Sequence, residues 1–175
     1  MKKVTLLTAI AIPVLLASCG GNQQKTAEHE TAKVDTSLPA VTTPAPSAST
    51  EVSNTVEISG NDQMKFDKTT IRVKAGEKVT LTIKDIGTMP KEAMSHNFVL
   101  LKNGTDPEKF AMQAMTSKET DYIPASMKSS VLAHTKTVGP GESDTIEFTV
   151  PKGEYEFICS FPGHWSTMRG KLIAE

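Results

Sequence analysis

Cysteine is close to absent from this chain. Its 175 residues hold two, Cys19 and Cys159. Cys19 is assigned below to processing of the N-terminus, so Cys159 has no partner and a disulfide framework is excluded. Histidine is scarce as well: His29, His96, His134 and His164 are the whole supply, too few for an enzyme that carries an additional catalytic metal. There is one tryptophan, and the formal net charge of −1 provides no basic field for nucleic acid. The longest apolar run, residues 6–16, is too short to span a bilayer.

What is present falls into three parts. Residues 1–18 read as a secretory signal, with Lys2 and Lys3 as the basic segment and residues 6–16 as the apolar one. Small residues lead directly into Cys19 in the order Leu16-Ala17-Ser18-Cys19, which looks like a bacterial lipobox. That resemblance implies cleavage before Cys19 and lipidation of its thiol and new amino terminus. Removal of the signal takes Lys2 and Lys3 from 19 basic residues and leaves 17 against 20 acidic ones, a net charge of −3. Residues 19–51 then read as the lipidated cysteine and a disordered tether. Gly, Asn, Gln, Ser, Thr, Ala and Pro dominate it, and Val34, Leu38 and Val41 are its only large aliphatics. Such a segment buries too little apolar surface to offset its ordering entropy, and its root-mean-square span is about 30 Å. His29, between Glu28 and Glu30, is read as solvated.

From Val52 the pattern changes to alternation. Val56 and Ile58, then Ile71 and Val73, then Val79, Leu81 and Ile83 each skip one polar residue, the mark of half-buried strands. Residues 98–101 form a continuous apolar run. Residues 131–133, 146–150, 154–158 and 171–173 are expected to be later strands. Thr105 or Asp106 caps the one expected helix, with Pro107 at its first turn. Residues 117–130 read as a loop and His134 as a surface loop residue. Met64, Met112 and Met115 are expected in the core. Seven or eight short strands in residues 52–175 predict an all-β sandwich with Greek-key connections and one short inserted helix.

The chemistry gathers in residues 159–170, CSFPGHWSTMRG. The spacing C-x4-H-x3-M puts a thiolate, an imidazole and a thioether in one loop. These donors suit copper, and a blue-copper site asks for one further imidazole. His96 is the best source, at the edge of an apolar run where loops meet. The loop resembles the copper loop of azurins. GNDQM at 60–64, MSHNF at 94–98 and AHTK at 133–136 match that family in order, over about residues 52–175. The resemblance implies a cupredoxin fold and one type-1 copper. Its ligands would be His96, Cys159 and His164, with Met168 axial and the Ser95 backbone carbonyl as an additional oxygen contact. It implies single-electron transfer, without catalysis, in the bacterial cell envelope, with the domain in the periplasm or at the cell surface. Its partners would be redox proteins such as c-type cytochromes, reductases or peroxidases.

Asn97, Ser160 and Phe161 are expected to hydrogen-bond around the Cys159 loop. The chain departs from the azurin pattern at Ser95, a glycine there, and at Phe98, often a buried tryptophan. The aligned disulfide positions, near Asn54 and Glu77, hold no cysteine. Met89, Met94, Phe161, Pro162 and Trp165 form the expected apolar partner patch around His164. Trp165 either faces a partner or folds inward, and the first reading is preferred. The competing function is a copper storage or delivery lipoprotein. It would favour methionine- and histidine-rich surface clusters, which the sequence lacks. A zinc site is disfavoured by the thioether.

Overall fold

A computed structural model describes residues 47–175. The signal segment, Cys19, His29 and the tether up to residue 46 lie outside the described residues. Among the described residues, ten strands form two sheets. The larger has the order β1 (Ser47–Val52), β4 (Lys68–Val73), β10 (Arg169–Ala174), β9 (Gly153–Ile158), β6 (Val99–Leu101) and β7 (Val131–His134). The smaller has the order β3 (Lys65–Phe66), β2 (Thr55–Asn61), β5 (Val79–Asp85) and β8 (Ser143–Phe148). Strands that follow one another in sequence repeatedly sit in different sheets, as Greek-key connection requires.

The alternation seen in the sequence sets the inner faces. Val56 and Ile58 of β2, with Leu81 and Ile83 of β5, point in from the smaller sheet. Ile71 and Val73 of β4, Phe157 of β9 and Leu172 of β10 meet them from the larger. β6 reads as a solid apolar run because all three of its residues are buried. Phe98, just before it, is wholly buried with its ring centroid 5.0 Å from that of Phe157. A phenylalanine therefore fills the position where azurins often carry tryptophan.

The helix α1 runs Pro107–Ala114, and Asp106 is its cap: its carboxylate accepts from the N–H of Glu108 and Lys109 at 3.0 and 3.1 Å. Its buried face is Phe110, Ala111 and Ala114. Met112 and Met115 are 62% and 52% exposed, so neither belongs to the core. The reason is helical spacing: Met112 and Met115 lie off the stripe set by positions 110, 111 and 114. Met64 does pack against the core, partly buried. His134 closes β7 rather than lying in a loop, and is half-buried.

Three details lay outside the sequence pattern. β1 begins at Ser47, before residue 52, and pairs parallel with β4, which places the end of the expected tether at the edge of the larger sheet. The two-residue β3 is too short to show periodicity. The loop at 117–130 contains two 3₁₀ turns, Lys118–Thr120 and Ala125–Ser130. Where azurins are cross-linked, Asn54 makes a polar clasp. Its amide accepts from the Lys74 N–H at 2.7 Å and donates to the Lys78 carbonyl at 3.2 Å and to Glu77 at 3.5 Å.

Candidate metal centre

Two segments meet at one end of the sandwich. The first leads from β5 into β6. His96 forms a bridge with Val138: its N–H donates to the Val138 carbonyl at 2.9 Å and its carbonyl accepts in return at 2.8 Å. The imidazole lies against Gly60 so closely that a Cβ there would stand 2.5 Å from Cδ2. Only glycine leaves room for that ring. The second segment is the loop from β9 to β10. The Cys159 N–H donates to the Met168 carbonyl at 2.9 Å, and the N–H of Met168 donates to the His164 carbonyl at 2.8 Å. These bonds close the loop and carry Cys159, His164 and Met168 into the interior together. Gly163, at φ +84°, makes the tight turn just before His164.

Asn97 joins the two segments. Its side-chain oxygen accepts from the Ser160 N–H at 2.8 Å, and its amide donates to Ser160 Oγ at 2.9 Å and to the Asp121 carbonyl at 2.7 Å. Ser160 Oγ in turn donates to the Tyr122 carbonyl at 2.9 Å. Asp121 and Tyr122 both hold positive φ, 54° and 58°, uncommon for residues with a side chain. The Asp121 carboxylate fixes that turn by accepting from the Thr137 N–H at 2.8 Å. Asn97 and Ser160 thus lie in a buried polar network that ties the two segments together.

The donor atoms of His96, Cys159 and His164 all lie within 4.8 Å of one another, and all three residues are buried. Cys159 Sγ is 3.6 Å from His164 Nδ1 and 4.0 Å from the Ser95 carbonyl oxygen. The Ser95 hydroxyl turns back and donates to the Lys91 carbonyl, and the Ser95 carbonyl still faces the sulfur. Met168 is wholly buried on the same loop. Neither ring nitrogen of His96 completes a hydrogen bond, although both are fully buried. Buried polar atoms left in this state call for a partner, and a metal is one.

The electrostatics agree. Burial pushes the Cys159 thiol up to about 12, while N–H groups of Asn97 and Phe161 pull the other way by hydrogen-bonding the sulfur. Burial pushes His164 down to about 4, helped by repulsion from His96. Burial lowers His96 too, against the carboxylates of Asp85 and Asp62 and the Asn61 carbonyl. Both imidazoles are therefore neutral near pH 7, the form in which a ring nitrogen has a free lone pair. Thiolate, two imidazoles and a thioether form a donor set that fits copper.

A family model described as copper binding proteins, plastocyanin/azurin family, matches residues 52–175. The chain belongs to this family. The azurin of Alcaligenes faecalis is 42% identical to it over 123 residues, covering 67% of this chain and 94% of that protein. Outer membrane protein H.8 of Neisseria meningitidis is 38% identical over 119 residues, covering 66% of this chain and 64% of that protein. Among solved structures, auracyanin A, a "blue" copper protein from Chloroflexus aurantiacus, superposes with a TM-score of 0.63 at 30% identity, over 71% of this chain and all of that one.

The expected patch around His164 is smaller in this plastocyanin/azurin family member than the sequence suggests. Met94 is buried, because its N–H bonds back to the Pro90 carbonyl and closes a turn that carries it inward. Phe161 is buried between Tyr122 and His164, with ring centroids at 5.1 and 4.8 Å. Met89 is exposed, and Pro162 and Trp165 are half-buried. Trp165 takes neither extreme: it packs on the core with Arg169 5.8 Å from its ring centroid. His134 lies outside the cluster. Gly60 and Asp85 were missed by sequence reasoning. Gly60 lay in a matched motif without a role, and Asp85 looked like an ordinary strand-end residue.

Proposed function

We propose that this chain is a type-1 copper electron carrier in which His96, Cys159 and His164 hold the metal. Met168 would supply a weak thioether, and the Ser95 carbonyl, 4.0 Å from Cys159 Sγ, would add an oxygen contact. One observation carries the reading: three soft or borderline donor atoms within 4.8 Å, fully enclosed, with the His96 nitrogens unpartnered. Bound copper supplies a Cu(II)/Cu(I) couple for single electrons. The protein supplies a thiol that gives up its proton on metal binding and two N–H donors that remain on the sulfur. The Asn97 network fixes both ligand segments, so they keep one geometry in both oxidation states. His164, 2% exposed beside Pro162 and Trp165, is the ligand nearest solvent and the electron exit.

Burial of the ligands also argues against a storage or delivery role, which needs exchangeable sites. Partners are redox proteins, of which c-type cytochromes, reductases and peroxidases are the classes we favour. We place the domain in the cell envelope, lipid-anchored at Cys19 through the tether. The lipobox pattern and the similarity to an outer membrane protein of Neisseria support this. Mass spectrometry of the mature N-terminus checks the anchor, and an unmodified Cys19 removes it.

The test of the copper site is to load the protein with Cu(II) and record visible absorption and electron paramagnetic resonance. An intense blue band with narrow copper hyperfine splitting is expected, both abolished by ascorbate and both absent from Cys159→Ala. A pale band with ordinary splitting, or colour surviving in Cys159→Ala, would overturn the assignment.

A further inference from the structure

Behind His96 lies a second buried group that the copper reading leaves without a task. Asp85 is the last residue of β5, and its side chain is entirely enclosed. Its backbone is fastened on both sides: its N–H donates to the Glu142 carbonyl at 3.1 Å and its carbonyl accepts from the Gly141 N–H at 3.0 Å. Oδ1 accepts from the Gly87 N–H at 2.7 Å and stands 3.9 Å from His96 Nε2. Oδ2 has no hydrogen-bond partner. The one basic side chain paired with it among the described residues is His96.

A carboxylate in this position is costly. Removing it from water is unfavourable unless it is hydrogen-bonded or faces positive charge. The turn at Gly87 needs one acceptor, which a neutral amide would supply equally well. At 3.9 Å the separation from Nε2 exceeds a hydrogen bond, yet a charge at that range inside the protein is weakly screened. Nε2 faces Asp85, and the Asn61 carbonyl also draws on the ring, so Nδ1 is the nitrogen left for the side where Cys159 and His164 converge. Carboxylates placed behind a ligating imidazole commonly fix its tautomer and its orientation.

We propose that Asp85 is a positioning residue for the copper site. It keeps the proton of His96 on Nε2 and Nδ1 bare toward Cys159, and its negative charge favours the oxidised site over the reduced one. The inference rests on the reading that His96, Cys159 and His164 hold copper. With a thiolate ligand, the oxidised site carries one more positive charge than the reduced one. A fixed negative charge behind His96 therefore lowers the reduction potential.

Two variants of the full chain separate this from a structural role. Asp85→Asn keeps the acceptor for Gly87 and removes the charge. Copper-loaded Asp85→Asn is expected to stay blue while its affinity for Cu(II) falls about tenfold relative to Cu(I). That change raises the midpoint potential by about 59 mV. Asp85→Ala removes the carboxylate altogether. In metal-free wild type at pH 8, ring nitrogen chemical shifts should show His96 with its proton on Nε2 alone, and in Asp85→Ala a mixture of tautomers. An Asp85→Asn protein that is blue with an unchanged potential overturns the proposal and leaves the copper reading intact. A single Nε2–H tautomer persisting in Asp85→Ala overturns the positioning half. If Asp85→Ala does not fold, the Asp85→Asn potential decides. A wild type that loads without a blue band overturns the copper reading, and this inference with it.

Discussion

His96 and His164 bring the same side chain to the same sulfur from two different kinds of structure. His96 is fixed by residues distant in sequence: the bridge to Val138, the floor at Gly60 and the carboxylate of Asp85. His164 is fixed by its own loop, through bonds to Phe161, Thr167 and Met168 and by stacking near Phe161. One ligand is built into the sandwich. The other is carried on a short closed turn that reaches the surface. The arrangement gives the proposed site an enclosed inner wall and a thin outer edge near solvent. Cys159 Sγ is the donor the two sides share.

Asn97 is the residue that makes the two sides one structure, so its loss is expected to have the largest effect on stability. Asn97→Ala strands the buried Ser160 N–H and the Asp121 carbonyl, each costing about 1–3 kcal/mol when unpaired. We expect a loss of about 4 kcal/mol in urea unfolding of the metal-free protein, with a broadened copper spectrum after loading. A loss below about 1 kcal/mol would show that the two ligand segments hold their places independently.

A pair of glycines compares the two sides directly. In Gly60→Ala the new Cβ meets the His96 ring at 2.5 Å, and that ring is packed with no free direction. Overpacking of this kind costs about 2 kcal/mol, and the copper spectrum should shift as His96 moves. In Gly163→Ala the Cβ has open space, and only the positive φ of 84° opposes it, at about 1 kcal/mol. Equal spectral shifts in the two variants would mean that the inner wall is no stiffer than the turn.

The outer turn was legible in the sequence because its three donors are local, spaced C-x4-H-x3-M. Most strands were legible for the same reason, since alternation is read from neighbours. His96 was found by elimination among four histidines and by its matched motif. What held it was not legible. Gly60 reaches it across 36 positions and Asp85 from the end of another strand, and neither leaves a local signal. The exposed Met112 and Met115 and the buried Met94 show the complementary failure. Methionine is apolar enough for either environment, so the backbone around it decides. Trp165 fell between the two expected positions: it packs against the core, with Arg169, four residues later, 5.8 Å from its ring centroid.

Acid should weaken the metal-free protein through both imidazoles. The His164 pKa is about 4 when folded and about 6.5 when unfolded, and that of His96 is also lowered. Between those values the unfolded chain binds protons that the folded one refuses, so stability rises with pH. It is complete above about 6.5 and is lost as pH falls toward 4. The melting temperature of the metal-free protein should therefore drop between pH 7 and pH 5. In His164→Gln, which cannot charge, the drop should shrink to the part owed to His96. An undiminished drop in that variant would place the whole effect on the inner wall.

The smallest effect is expected at the rim of the exit. Arg169 lies 5.8 Å from the Trp165 ring centroid and pairs with Glu156, partly exposed to water. Contacts of this kind are worth about 0.5–1 kcal/mol. Arg169→Gln should cost no more than that and leave the copper spectrum alone, since the guanidinium meets Trp165 and Glu156 rather than a donor atom. Trp165 is the only tryptophan in the chain, so its emission reports this rim without interference. Losing the guanidinium uncovers the indole, and the emission maximum should move to longer wavelength. An unmoved maximum would mean that packing on the core, rather than Arg169, holds Trp165 beside His164. The outer edge would then share the rigidity of the inner wall.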